Sequence, residues 1–336
     1  MQRVLVVRIG RLGDTVLATP VIAVLQASLG DNVSIDFACS PGASARILGM
    51  DRRVNRVFPI AHRSTPWRLH RGKRELERHS RECPYDLVIN LETGRECDDF
   101  VRFVHHREFC GRPLQKISHK PGRHCVDTEK AIYAARLGEG VTAAAGTALQ
   151  LDIEPRSLPV PLDSAYVVIN PGFSGLLRPG YRSHRGWPLE HWQVLVEELT
   201  TSMGLAVLVN GTPDEQPGFA PLLKMPGVHS LFGSSLPALC TALEHAAALV
   251  TVDTGTMHLA TALGTPVVAL FGPTDPALTG PYSSKIPHRV MQSGVDCQPC
   301  AGTPLQKKCT LNRCMTELEP ARVLENIMNL INIKNR

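Results

Sequence analysis

Short apolar runs recur along the chain, separated by amphipathic stretches. The runs are Val4 to Ile9, Val33 to Phe37, Leu87 to Asn90, Tyr166 to Ile169, Leu205 to Val209, Leu249 to Val252 and Val267 to Phe271. Runs this short, with little polar alternation, suit parallel strands covered on both faces. Between them the apolar positions take helical spacing. Thr19 can cap a helix whose first residue is Pro20. Pro188 opens another, with Trp192, Leu195, Val196 and Leu199 on one face. Ser235 and Pro237 open a third that runs to about Ala248, and Pro320 to about Ile333 reads as a closing amphipathic helix. Strands alternating with helices predict an α/β fold with doubly wound sheets.

One grammar occurs twice: an apolar run, then glycine, then a helix. The first copy is Val4 to Ile9 followed by Gly10 to Gly13, and the second is Tyr166 to Ile169 followed by Asn170-Pro171-Gly172. Between them, Glu154 to Ser164 holds three prolines and no periodicity, which suits a linker. A chain of 336 residues accommodates two cores. The expected division is a domain over 1–155, a second over 164–319, and a C-terminal helix within 320–336.

Composition sharpens this only at a few points. No apolar stretch of membrane-spanning length is expected, and the N-terminus enters a strand at once, with no secretion leader. A cytoplasmic location is the expectation. In such a chain, ten cysteines read as thiols or metal ligands rather than disulfides. Cys39, Cys83, Cys97, Cys110, Cys125 and Cys240 read as ordinary thiols. Cys297, Cys300, Cys309 and Cys314 are clustered as C-x2-C-x8-C-x4-C. That spacing can close a tetrahedral thiolate site, structural and holding zinc or iron, or can be four reduced thiols in a surface loop. The net charge of +5 is uneven: His62 to Arg81 holds seven Lys or Arg, three His and two Glu, and a second basic stretch runs from Arg102 to His124. Either an anionic partner or a solvated helix face accounts for this.

Open α/β sheets bind ligands beyond the carboxyl ends of their strands, which selects the loops to read. After the first run comes Arg8-Ile9-Gly10-Arg11-Leu12-Gly13-Asp14. Gly10 and Gly13 allow a tight turn with backbone close to a ligand. The spacing is not the dinucleotide fingerprint, which disfavours a dehydrogenase. Asp14 opens the next helix, either as a capping residue or as an acid presented at the sheet edge. After Leu249 to Val252 comes Asp253-Thr254-Gly255-Thr256-Met257-His258. Free N–H groups at a helix start make an anion site, and Thr254 and Thr256 add hydroxyls, so a pyrophosphate fits. His258 is either a phosphate donor or structural. Gly272-Pro273-Thr274-Asp275-Pro276 marks a further turn at that edge. Asn170-Pro171-Gly172-Phe173-Ser174 is followed by Arg178, Arg182 and Arg185, which can neutralise a diphosphate before the helix at Pro188. Asn210-Gly211-Thr212-Pro213-Asp214-Glu215 puts an acid, Asp214, where other nucleotide folds bind a ribose hydroxyl.

These motifs carry a resemblance. The segment Val4 to Asp14 resembles the opening of the bacterial lipopolysaccharide heptosyltransferases, glycosyltransferase family nine. Arg185-Gly186-Trp187-Pro188-Leu189-Glu190-His191-Trp192 is similar to their mid-chain basic-x-Trp-Pro block. Asp253-Thr254-Gly255 with His258, followed by Gly272 to Pro276, is similar to their donor-site signature. The motifs stand in the family's order from residue 3 to about 282.

The resemblance implies a GT-B fold: two Rossmann-like domains facing across a cleft, the first for the acceptor and the second for the nucleotide-sugar donor. It implies inverting, metal-independent transfer of heptose from a nucleotide-diphospho-heptose, usually ADP-L-glycero-D-manno-heptose, with no cofactor for catalysis. The implied acceptor is an anionic glycolipid of the Kdo–lipid A inner core, met by peripheral contact at the cytoplasmic face of the inner membrane, and no nucleic acid is involved. By position, Asp14 is the base, Arg185 contacts donor phosphate, and Asp253, Thr254, Gly255 and His258 form the donor loop. Two departures stand out. Many relatives have Ser-Ala-Leu-Gly-Asp where this chain has Gly10 to Asp14. The segment Gly175 to His184 is longer than in familiar members, which leaves open which of Arg178, Arg182 and Arg185 meets the phosphate. Cysteine clusters near this position occur in relatives, and in autotransporter heptosyltransferases such a cluster holds iron. Two other classes remain: a nucleotide-sugar epimerase, also built of two such domains, and a non-catalytic nucleotide-binding protein, which has no need of Asp14.

Overall fold

The seven apolar runs form the seven inner strands of two parallel sheets, and the four strands at the sheet edges come from segments without that signature. The computed structural model describes the chain apart from residues 31, 62, 118–121, 162–163, 174, 178–183 and 335–336, with only the backbone described at 332–334. It divides into two compact units, Met1–Ile153 and Glu154–Arg336. The proline-rich segment from Glu154 opens the second unit.

In the first unit the strands are β1 (Gln2–Arg8), β2 (Val33–Cys39), β3 (Arg56–Pro59), β4 (Tyr85–Asn90) and β5 (His106–Gly111), in the order β3-β2-β1-β4-β5. In the second they are β6 (Tyr166–Asn170), β7 (Ala206–Val209), β8 (Val228–Ser230), β9 (Ala248–Val252), β10 (Val267–Leu270) and β11 (His288–Met291), in the order β11-β10-β9-β6-β7-β8. Every strand pairing is parallel. Both orders are Rossmann-type. In each sheet the chain reverses its direction of winding at one point, between β1 and β4 in the first and between β6 and β9 in the second, and ligands settle outside such a point.

Burial follows the pattern that predicted it. Val4 to Val7 and all of β9 are fully covered, whereas β3, β5, β8 and β11 carry exposed polar positions. The helix expected to reach Ala248 stops at His245, because Ala248 is already the first residue of β9. Its start is as expected, with the Ser235 hydroxyl accepting the Ala238 N–H at 3.3 Å. The closing helix, Pro320–Lys334, lays Val323, Ile327 and Leu330 into the same core as Trp192, Leu195, Val196 and Leu199.

One expectation needs correcting. Leu12–Leu29 is long and apolar enough by composition to cross a membrane, although no such stretch was anticipated. It is two helices, Leu12–Leu17 and Pro20–Leu29, with 61% of the stretch buried inside the protein. Val16, Val21, Ile22, Val24 and Leu25 are fully covered, so its apolar character is accounted for by core packing.

Candidate active site

At the reversal point of the first sheet, the loops leaving β1 and β4 bring a set of charges together. Asp14 sits in the first turn of the helix Leu12–Leu17, its side chain 45% exposed. Its Oδ2 accepts the Arg11 N–H at 2.9 Å, and its Oδ1 lies 3.2 Å from Arg8 Nη2. Asp14 therefore does cap its helix, and it does so while keeping an accessible carboxylate. Gly10 makes the approach feasible: a Cβ there would lie 2.4 Å from the Cβ of Asp14 and 2.7 Å from its Oδ2. Gly13 is buried within the same helical turn.

The sequence reading missed most of this cluster. Arg8 also reaches Glu92 at 3.5 Å and Glu129 at 3.1 Å. Glu92, just past β4 and almost fully buried, accepts the Ile9 N–H at 2.6 Å and the Arg63 guanidinium at 2.6 Å. Glu129 projects from the helix Cys125–Leu137, which follows β5. Burial pushes its carboxyl up to about 7, with Asp14 and Glu92 adding to the rise and Arg8 opposing it. Arg8 lay in the quoted motif, but Glu92 and Glu129 had no local signal, since only the sheet order brings β4 and the later helix beside β1.

The basic stretch also resolves. Lys73 is wholly buried, its Nζ donating to the carbonyls of Arg63 at 2.8 Å and Thr65 at 3.1 Å beside the Trp67 and Phe100 rings. It pins a loop and contributes no surface charge. Arg68, Arg71, Arg74, Arg78 and Arg81 are exposed, and so is Arg63. His62 lies outside the described residues.

The second sheet presents a different edge. Asp253 leaves β9 almost fully buried, and Thr254 begins the helix Gly255–Leu263 in an extended conformation with no side-chain cap. Uncapped first-turn N–H groups and the helix dipole favour an anion there. Thr254, Gly255 and Thr256 are partly exposed, while His258 is buried one turn in. The hydroxyls of Thr251 and Thr254 lie 3.2 Å apart. Arg185 Nε is 3.7 Å from Asp253 Oδ2, and its Nη1 is 3.5 Å from the Asp253 carbonyl oxygen. Burial pushes the Asp253 carboxyl up, while Arg185 and the Thr274 hydroxyl pull it down. Trp187 anchors the segment carrying Arg185: its indole N–H donates to the Leu318 carbonyl at 2.8 Å, and its ring meets Trp192 edge-on.

After β7 the two acids of the loop differ in their surroundings. Asp214 is exposed, whereas Glu215 is buried and turned toward the loop after β6. A Cβ on Gly172 would lie 2.6 Å from Glu215 Oε2, so the glycine and the carboxylate are in close contact. Ser174, Arg178 and Arg182 lie outside the described residues.

The four clustered cysteines share one neighbourhood. Burial pushes Cys314 up to about 11, with Cys300, Cys297 and Cys309 adding to the rise. Among the described residues, however, no three His, Cys, Asp or Glu side chains come together as a group able to hold a metal ion. Of the two readings of that spacing, a zinc or iron site is thus not shown. Hydrogen bonds hold the loop instead. Gln298 donates to the carbonyls of Phe271 at 3.0 Å and Gly272 at 2.7 Å, Cys300 N–H donates to Pro273 O at 2.9 Å, and a His184 ring nitrogen lies 3.2 Å from Cys309 O.

Residues 115–310, more than half of the chain, match the model of glycosyltransferase family 9 (heptosyltransferase). The chain is 28% identical to lipopolysaccharide heptosyltransferase 1 of Pseudomonas aeruginosa, over 96% of each chain. Among solved structures it is similar to a family 9 glycosyltransferase from Veillonella parvula, with a TM-score of 0.77 and 17% identity over 99% of this chain and 98% of that one. It is also similar to an E. coli heptosyltransferase solved with ADP, with a TM-score of 0.70 and 23% identity over 98% of this chain and 100% of that one.

Proposed function

Since the chain belongs to glycosyltransferase family 9, the heptosyltransferases, we propose that it transfers heptose from ADP-heptose to an inner-core lipopolysaccharide acceptor of the Kdo–lipid A type. Its fold is GT-B, as the motifs implied. The observation that carries the proposal is the edge of the second sheet, where an uncapped helix start and Arg185 stand together. That is a seat for a nucleoside diphosphate, and the solved relative holds ADP. Thr254, Gly255 and Thr256 supply N–H and hydroxyl donors to the diphosphate, and Arg185 supplies charge. Glu215 rather than Asp214 takes the ribose, because it is the buried acid turned to the loop after β6.

Asp14 acts as general base. It takes the proton of the acceptor hydroxyl as that oxygen attacks the anomeric carbon, and the bond to the diphosphate breaks with its electron pair on the departing phosphate oxygen. A single displacement of this kind inverts the anomeric centre. The charge of the leaving diphosphate is met by Arg185 and the helix N-terminus, so the transfer proposed needs no metal and no cofactor beyond the donor. The exposed arginines between 63 and 81 meet the anionic acceptor or the lipid surface around it, in peripheral contact with the cytoplasmic face of the inner membrane.

The test is product analysis with isotopically labelled ADP-heptose, with and without Kdo–lipid A. Label on the glycolipid together with free ADP supports the proposal. Consumption of donor without acceptor points to an epimerase, and binding without consumption points to a non-catalytic protein.

A further inference from the structure

Arg8 is shared. Its Nη2 lies 3.2 Å from Asp14 Oδ1 and 3.1 Å from Glu129 Oε1, so one nitrogen serves two carboxylates. Around it, two cations, Arg8 and Arg63, meet three carboxylates, Asp14, Glu92 and Glu129. These carboxylates are not equally supplied. Glu92 has donors at both oxygens, from the Ile9 N–H and Arg63. Asp14 has the Arg11 N–H at Oδ2 and is open to solvent. Glu129 is almost fully buried, and its Oε2 has no hydrogen-bond partner among the described residues. The half-buried thiol of Cys125, at the start of its own helix, also bears on it.

We propose that Glu129 is a positioning residue for the transfer: bridged to Asp14 by Arg8, it forms one coupled acid–base pair with Asp14, and its charge sets how readily Asp14 takes a proton. This rests on Asp14 being the base. When Glu129 is ionised, it draws on Arg8 and leaves the Asp14 carboxylate less stabilised and more basic. When Glu129 is protonated, the shared Nη2 of Arg8 is left to Asp14 and holds it ionised more firmly, while Nη1 stays with Glu92. During transfer the proton of the acceptor hydroxyl moves to Asp14, and Glu129 then remains to balance Arg8. The position of Glu129 in the neutral range, set by burial, makes the pair responsive where the enzyme works.

The test has two readouts on the whole protein. In the ligand-free protein, the infrared band of a protonated carboxyl is followed from pH 5 to 9. A band that titrates near neutrality is expected, absent in Glu129→Gln and shifted to lower pH in Asp14→Asn, because a neighbouring negative charge has been removed. A band that does not move in Asp14→Asn overturns the pair. This arm stands even if Glu129→Gln folds poorly, since Asp14 is half exposed and its substitution leaves the core in place. In the second readout, the wild-type pH–rate profile is expected to rise in a step across neutral pH. Glu129→Gln should lose that step, with turnover at pH 8 lowered roughly three- to tenfold, and Glu129→Asp should restore it. The same step in a Glu129→Gln protein that melts like wild type overturns the proposal. Near-normal turnover in Asp14→Asn removes the base, while the infrared arm still decides whether the two carboxylates are coupled.

Discussion

The two sheets have the same winding and reversal points of the same kind, yet the loops there are furnished in opposite ways. The first reversal point gathers ionisable side chains: Arg8, Asp14, Arg63, Glu92 and Glu129. The second presents, among the described residues, backbone N–H groups and hydroxyls at one helix start and the Arg185–Asp253 pair. Crowded carboxylates around one arginine make protonation states easy to tune, which suits a reaction that moves a proton. Fixed dipoles beside a cation suit an anion whose charge does not change. On the function proposed, one topology supports two chemistries, and the difference lies in the loops.

The sharpest way to break this contrast is Asp14→Asn. If the first sheet handles the proton, turnover falls by about 10²- to 10⁴-fold, as expected for removal of a general base. ADP affinity, measured by calorimetry, stays within a few-fold. Near-normal turnover reduces Asp14 to a helix cap, whose loss costs about 1 kcal/mol of stability and no chemistry. The reciprocal variant, Arg185→Ala, should weaken ADP binding by about tenfold, the low end for a charge-assisted contact because the guanidinium is partly exposed. Its pH–rate profile should keep the wild-type shape. A changed acid limb would mean that the two chemistries are not divided between the sheets as described.

A smaller effect separates the sheets by stability. Glu129 has an ordinary carboxyl pKa in the unfolded chain and one raised to about 7 in the folded protein. The folded state then binds the proton more tightly, so the stability this contributes is present below the unfolded value and is lost as pH rises through about 7. Wild-type melting temperature is expected to fall by a few degrees between pH 6 and pH 8. Glu129→Gln should be flatter over that window, and an equal slope in both proteins assigns the pH dependence to other groups.

The inner strands were legible because a strand buried on both faces must be apolar throughout, and the seven runs marked it. The edge strands β3, β5, β8 and β11 escaped because half of each faces solvent, and segments such as His106–Gly111 carry polar side chains there. The loop proposed for the donor could be read as a unit because it is contiguous, Asp253 to His258. The cluster at Asp14 was not, because Glu92 and Glu129 come from segments that only the sheet order brings beside β1. Asp214 and Glu215 differ in burial, which two adjacent acids in one turn do not reveal, and that difference is what favours Glu215 in the function proposed. The spacing of the four cysteines left a metal site and four thiols both open, because spacing does not show whether the backbone turns the thiols toward one point.

The smallest effect concerns the surface of the first unit. Counting seven cations between 62 and 81 overstated the field, since Lys73 is turned inward, Arg63 pairs with Glu92 and Arg81 pairs with Glu77. What remains outside is Arg68, Arg71, Arg74 and Arg78, with Leu69 76% exposed beside them. Arginines around a bare leucine suit the boundary of an anionic membrane, where each cation contributes about 1 kcal/mol near the surface. Sedimentation with vesicles containing anionic lipid should show binding that weakens as salt rises, because screening shortens to about 8 Å at physiological ionic strength. Arg71→Gln/Arg74→Gln should reduce binding at low salt, and Leu69→Ser should reduce what survives at high salt. The second sheet offers the control: Arg185→Ala should leave vesicle binding unchanged. Binding indifferent to salt and to lipid charge would make this helix a solvated face, and the acceptor would then be recognised by Arg63 and its neighbours within the site alone.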